Sequence, residues 1–459
     1  MTRIRKIAVL AAAFVVFFAA SSYLIYREPD VEKILANSPL RDRKFASKIQ
    51  KIRTPAGINA YLMSDNSSPI VSLNFKFLRS GIAYESENTG APMFLSNIWG
   101  DDAKGMTAEK LREFLLQNGI KIGFSASFDD FDGSIALPKQ NLSSSLEVIG
   151  QIFNNPLFED QNMSTVKAQL VLANLAQNEN EREIFDAFAR KNLYKNHPYS
   201  RDKIASIESI KNISANELKQ YMAKYFAKDN LLVGVSGDID EKTAANLIDT
   251  MFGALPQSRE KIEIEAVEPD FSQKDFSLER PDFAQNKIMM VAKGISRDNP
   301  DFYPLYIADE IFGGQGLGTR LNNELRAKRG LTYGAYSWLQ MQNSANLLVG
   351  FFETSPDNFA EAMKIAREEW QKFGDKGITK NEFNQTIDYL LSSYNLRFAS
   401  TENISSMLTE IQKYNLGEDF LLRRNDYIKA VDFDEVNSAA KKYFNDNLIF
   451  ISIGDMDHE

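Results

Sequence analysis

The chain has 459 residues, 44% hydrophobic and 25% charged, a globular composition too long for one ordinary core, so two or three domains are expected. Its net charge of −9 denies it the basic face with which nucleic-acid binders displace counterions. It has no cysteine and two histidines, which excludes disulfides, thiolate metal sites and cysteine nucleophiles and argues against serine triads and histidine-built zinc sites.

Arg3, Arg5 and Lys6 precede Ile7–Tyr26, an uncharged apolar run about one bilayer thick. Residues 1–30 are therefore expected to be a signal peptide or an N-terminal membrane anchor. Phe-Ala-Ala-Ser-Ser (18–22) is a weak cleavage site, which favours the anchor. The basic end would stay in the cytoplasm and the rest would be exported, to the periplasm or the outer side of the cytoplasmic membrane.

Beyond the leader, Val71, Leu73, Phe75 and Phe77 alternate with Ser72, Asn74 and Lys76, the pattern of a half-buried strand. Pro92–Trp99 predicts a short buried helix. Thr107 is placed to cap a second helix, which Gly119 stops. Residues 124–135 suggest a strand or hairpin, and 142–152 and 163–191 suggest helices. In the second half, strands are expected at 287–292 and 331–339. Helices are expected at 304–312, 358–373, 379–394 and 403–416, with the segment 317–327 following the first of these. Strands grouped with runs of helices point to an α+β sandwich.

Two stretches repeat: ELKQYMAKYFAKDNLLVGVSGDID (217–240) and EVNSAAKKYFNDNLIFISIGDMD (435–457). Each carries an amphipathic helix, Lys-Tyr-Phe, a polar turn, an apolar strand and Gly-Asp-x-Asp. An offset of half the chain is too long for a solenoid and means a duplicated domain. The expected limits are 45–255 for the first copy, 256–276 for a charged, proline-flanked linker and 277–459 for the second copy.

Several motifs invite functional readings. GGQGLG (313–318) follows a helix instead of a strand and completes no phosphate-binding signature, so Gly313, Gly314 and Gly316 fit a turn that lets a peptide backbone approach closely. Asp129, Asp130 and Asp132 before Gly133 start like a calcium loop but lack its later ligands, which suggests a solvated hairpin tip. Asp101 and Asp102, adjacent and without a third ligand, are expected to face water. His197 in LYKNHPYS fits a structural loop histidine. Arg326 and Tyr333 could converge as donors to a carbonyl gaining negative charge, although their spacing alone fits a surface arginine and a half-buried tyrosine equally.

SGIAYE, GAPMFLSN, LYKNHPYS, KYFAKDNLLVGVSGDID and GGQGLGTRLNNELRAKRGLTYGAYS occur in this order. In that order they resemble the half-size, processing-peptidase-like members of the insulinase/pitrilysin (M16) zinc peptidases, from about residue 45 to the end. The resemblance implies two homologous α/β-sandwich domains forming half of a clam-like chamber. Active members carry an inverted motif, H-x-x-E-H, on a helix. Its positions fall here on Met93, Ser96 and Asn97, none of which suits zinc or serves as a base. The distal glutamate has no counterpart in VLANLAQN (171–178), with Glu179, Glu181 and Glu183 lying beyond it. Arg326 and Tyr333 match the family's arginine–tyrosine pair. The resemblance thus implies a non-catalytic subunit with no cofactor of its own. It would pair as a heterodimer with a zinc-bearing M16 homologue, enclose a peptide substrate and donate Arg326 and Tyr333 to the partner's site. A stand-alone peptide-binding or scaffold protein is the alternative.

Overall fold

The computed structural model describes residues 49–456, with 87 and 274 excepted. The leader expected at 1–30 and His458 lie outside the described residues. Among the described residues, no helix is long and apolar enough to cross a membrane.

The first half contributes β1 (Gln50–Arg53), β2 (Asn59–Ser64), β3 (Ile70–Phe77), β4 (Lys121–Ala126), β5 (Phe131–Pro138) and β6 (Leu231–Gly237). Its helices are α1 (Ala91–Ile98), α2 (Ala108–Gln117), α3 (Lys139–Asn154), α4 (Asp160–Gln177), α5 (Glu181–Tyr194), α6 (Ile207–Asn212), α7 (Ala215–Tyr225) and α8 (Glu241–Phe252). The second half contributes β7 (Asp275–Glu279), β8 (Asn286–Lys293), β9 (Ala335–Met341), β10 (Asn346–Thr354) and β11 (Leu448–Gly454). Its helices are α9 (Phe302–Phe312), α10 (Phe359–Lys376), α11 (Lys380–Ser393), α12 (Thr401–Lys413), α13 (Phe420–Ala430) and α14 (Phe433–Tyr443).

The sheets run β1-β2-β6-β3-β5-β4 and β7-β11-β8-β10-β9. Without β1, they have one topology. A parallel pair (β2/β6, β7/β11) is followed by three antiparallel pairings. This is the duplicated α+β fold that the repeat predicts. The repeated residues do the same work in both copies. Phe226 stacks on Phe77 with ring centroids 4.0 Å apart, and Phe444 packs 4.5 Å from Trp370. Gly237 and Gly454 end the equivalent strands at φ +127° and +148°. A Cβ there would meet the Ile70 carbonyl oxygen at 2.0 Å and Asn286 Oδ1 at 2.1 Å, so both positions require glycine.

The halves exchange helices. α12 of the second half lies on β2, β3 and β6 of the first sheet. Thr401 hydrogen-bonds Ser72 at 2.7 Å, Asn74 donates to Ser405 at 2.5 Å, and Gln412 donates to the Val233 carbonyl at 2.8 Å. Gly234 permits the approach, since a Cβ would come within 2.3 Å of the Ser405 carbonyl oxygen. In return α5 meets the second sheet through Phe185 against Phe351, centroids 5.7 Å apart, and Glu181 against Lys287 at 2.9 Å. The exchange corrects one expectation. β3 is buried on both faces, with Ser72 and Lys76 covered by α12. The predicted helix over 163–191 is also two helices, because the Asn180 side chain accepts from the backbone N–H of Arg182 and Glu183 and starts α5 anew. Among its described residues the segment expected as a linker has no helix or strand up to β7, yet Ile262, Ile264, Val267 and Phe271 pack on the core. His197 Nε2 bonds the Glu265 carbonyl at 2.9 Å while its Nδ1 accepts from the Tyr199 N–H, the structural role foreseen for this histidine.

Candidate functional site

α1 follows strand β3 and the SGIAYESENTG turn. Gly90, at φ +84°, faces Ala205 so closely that a Cβ would lie 2.4 Å from the alanine methyl. The buried Glu85 carboxylate accepts from the N–H groups of Thr89, Gly90 and Ala91, satisfying donors at the helix start. Ala91, Phe94, Leu95 and Ile98 are buried at helical spacing. Met93, Ser96 and Asn97, at i, i+3 and i+4, share the other face. That is the geometry by which one helix can present two metal ligands and a base. Here, however, Ser96 Oγ and Asn97 Nδ2 both donate to the Met93 carbonyl at 2.8 Å. A thioether, a hydroxyl and an amide offer no anionic or imidazole donor to Zn²⁺.

α4 packs beside α1 and carries no acid at the facing stretch. Asn174 donates instead to the Ala205 carbonyl at 2.8 Å. Glu181 is engaged by Lys287 and by the Ala284 N–H, and Glu183 lies 3.9 Å from Lys203. Among the described residues, no cluster of three His, Cys, Asp or Glu has a metal-holding arrangement. The donor set at this frame does not fit zinc.

Arg326 lies in a π-helical turn, Asn322–Ala327, and Tyr333 just before β9. Both side chains are exposed, Tyr333 by 85%. Among the described residues, neither side chain forms a hydrogen bond or ion pair. The backbone between them is fixed. Asn322 Nδ2 donates to the Ala335 carbonyl at 2.8 Å, and its Oδ1 accepts from the Ala335 N–H at 3.0 Å, joining the π turn to the strand. Leu331 N–H returns to the Leu325 carbonyl, and Thr354 bonds the Leu331 carbonyl. π turns recur at functional sites. Asn322, thirteen positions from its partner, carries no signal in the sequence.

The glycine loop is only partly open. Gly313 accepts from the Ser337 N–H at 2.5 Å, and a Cβ on Gly314 would meet Glu310 Oε2 at 2.1 Å, whereas Gly316 has nothing closer than 4.0 Å. Two of the three glycines are thus used against the chain's own β9 and α9. Beneath them Asp309 is sealed. Burial pushes its carboxyl up to about 8, opposed by the Ser337 hydroxyl at 2.5 Å and reinforced by Glu310.

Two acidic motifs depart from expectation. Asp129 and Asp130 are 5% and 1% exposed, not a solvated tip, because the hairpin is clamped between the halves. Asp129 accepts from the Tyr199 hydroxyl at 2.5 Å and from the Asn343 N–H at 2.9 Å. Burial raises its pKa, and those two bonds temper the rise. Lys413 of α12 reaches Asp130 at 2.7 Å, and Lys76 pairs with Asp132 and Glu410. Burial opposes the Lys413 charge, but Asp130 outweighs it and holds the ammonium above its usual range. Asp102 is buried too, accepting from the N–H groups of Leu157 and Glu159. Neither the cross-half lysines nor these backbone donors are visible in the local sequence.

The chain matches two family descriptions: insulinase (peptidase family M16) over residues 62–205, and the peptidase M16 inactive domain over 212–390. It is 23% identical over 396 residues to a Helicobacter pylori protein named non-peptidase homolog YmxG, covering 84% of this chain and 89% of that one. It is 19% identical over 376 residues to the Bacillus subtilis uncharacterized zinc protease YmxG, covering 81% and 90%. Among solved structures, the peptidase M16 inactive domain from Pseudomonas fluorescens superimposes with TM-score 0.81 at 23% identity, over 89% of this chain and 98% of that one. A Helicobacter pylori protease gives TM-score 0.77 at 16% identity, over 89% and 99%. Through its motifs, its duplicated fold and these matches, the chain belongs to the insulinase (M16) peptidase family, as a copy whose sequence contains no H-x-x-E-H motif.

Proposed function

We propose that this chain is a non-catalytic subunit of a two-chain M16 zinc peptidase. It would line part of the peptide-holding chamber and lend Arg326 and Tyr333 to the site of a zinc-bearing homologue. One observation carries this reading: both donors are exposed and unengaged on a backbone fixed by Asn322, while the α1 frame of the same chain holds no ligand. A guanidinium and a phenol presented in this way suit an oxygen that gains charge in the transition state. The Helicobacter pylori relative's name, non-peptidase homolog, agrees with it. β4, at the edge of its sheet and beside α1, offers unpaired backbone groups to an extended peptide. Export through the N-terminal segment, with or without a retained anchor, belongs to the same proposal.

The test is purification from native membranes, identification of the co-purifying chain and reconstitution with variants. Arg326→Ala or Tyr333→Phe is expected to lower kcat about a hundredfold with assembly intact, the usual cost of one such donor. Tyr336→Phe, on β9, is the control. Full kcat in both donor variants would refute the donor role and leave the scaffold reading.

A further inference from the structure

Around Trp99, which follows the last residue of α1, lies a cavity of about 510 Å³, within the range of small-molecule sites. Its floor is aromatic: Trp99, Phe153, Phe226 and Phe252 meet there, all but fully buried. Its rim carries Lys104 and Lys219. Among the described residues no carboxylate lines it, and neither lysine has a hydrogen-bonding or ionic partner. In a chain with net charge −9, two unpaired ammonium groups over a wholly apolar floor form a local exception. The asparagine side chains of the lining are engaged: Asn154 donates to the carbonyls of Gly150 and Thr250, and Asn155 to Gln151 Oε1.

We propose that this cavity binds a small anionic amphiphile, a single-chain carboxylate whose tail rests on the rings and whose head meets Lys104 and Lys219. The apolar floor supplies affinity by removing hydrocarbon from water. The lysines select the anion, because a charge-assisted hydrogen bond is worth more than a neutral one.

The probe is 10-bromodecanoate, whose bromine quenches a touching indole. The chain has three tryptophans, and of these only Trp99 lines the cavity. Saturable quenching at micromolar concentration is expected in the full chain and is absent in Trp99→Phe. Ala223→Phe, at an exposed helical position on the rim, fills the mouth without disturbing the core and is expected to abolish quenching. Lys104→Ala combined with Lys219→Ala, or the neutral probe 10-bromodecanol, is expected to weaken it about tenfold, the effect of losing a charged hydrogen bond. Three results would each overturn the proposal. One is no saturable quenching by the folded chain at millimolar probe. Another is equal quenching by acid and alcohol that survives Ala223→Phe. The third is binding only to phosphatidylglycerol vesicles and not to the monomeric acid.

Discussion

Replacing Asp309 by asparagine tests the reading of the loop-supporting region directly. Burial raises the Asp309 carboxyl from 3.8 to about 8. The folded chain therefore keeps, between about pH 4 and 8, a proton that the unfolded chain releases. A carboxyl shifted upward favours folding at low pH, and that contribution is lost as pH rises towards the folded value and stays lost above it. Four pH units at about 1.4 kcal/mol each set a ceiling on the order of 5 kcal/mol, part of which local relaxation removes. An asparagine side chain cannot ionise, keeps the shape and retains an oxygen for the Ser337 hydroxyl. Asp309→Asn is accordingly expected to match the wild type within about 1 kcal/mol at pH 5 and to exceed it by roughly 2–3 kcal/mol at pH 8. Urea unfolding followed by tryptophan fluorescence reads this well, because Trp370 sits with Phe312 of α9 at 5.5 Å in the same core. Parallel pH profiles for the two proteins would show that Asp309 titrates normally and refute the argument.

Tyr199→Phe removes the hydroxyl that donates to Asp129 and accepts from the buried Ser344 N–H. It is expected to cost about 2–4 kcal/mol in urea unfolding, with strong coupling to Asp129→Asn in a double-mutant cycle. Gly133→Ala places a Cβ 2.2 Å from Phe75 Cζ and should cost about 1–3 kcal/mol, whereas Gly123→Ala on the neighbouring strand meets only Ser134 Oγ at 3.6 Å and should change little. The two melting curves decide it. Elemental analysis of the purified chain is expected to find far less than one zinc per chain. A stoichiometric zinc lost on mutating α1 would overturn the account of Met93, Ser96 and Asn97.

Much of the local architecture is written in neighbouring residues. Ala91, Phe94, Leu95 and Ile98 bury one face of a helix, so the opposite face had to carry Met93, Ser96 and Asn97 together. Gln177 and Asn180, by contrast, bracket a break in a continuous helical pattern, and only the capping geometry of Asn180 reveals it. The π turn holding Arg326 is equally silent in sequence, because it depends on a bond to Ala335 across a turn.

By itself the sequence determined the duplication, the α+β class and the helix face that carries Met93, Ser96 and Asn97 together. Each of these depends on residue identity and short-range spacing, through side-chain periodicity, glycines needed at positive φ and the donor chemistry of three named residues. Tertiary structure decided which polar residues are buried. Lys76 reads as solvent-facing in its own strand, and Asp129 and Asp130 as a solvated hairpin tip. Lys76 and Asp130 are interior because α12 crosses from the other half of the chain and brings Lys413 to 2.7 Å from Asp130, and Asp129 because Tyr199 and Asn343 close on it. A charge is stable in such a place only when its partner arrives with it, and a partner 283 residues away leaves no trace in local pattern.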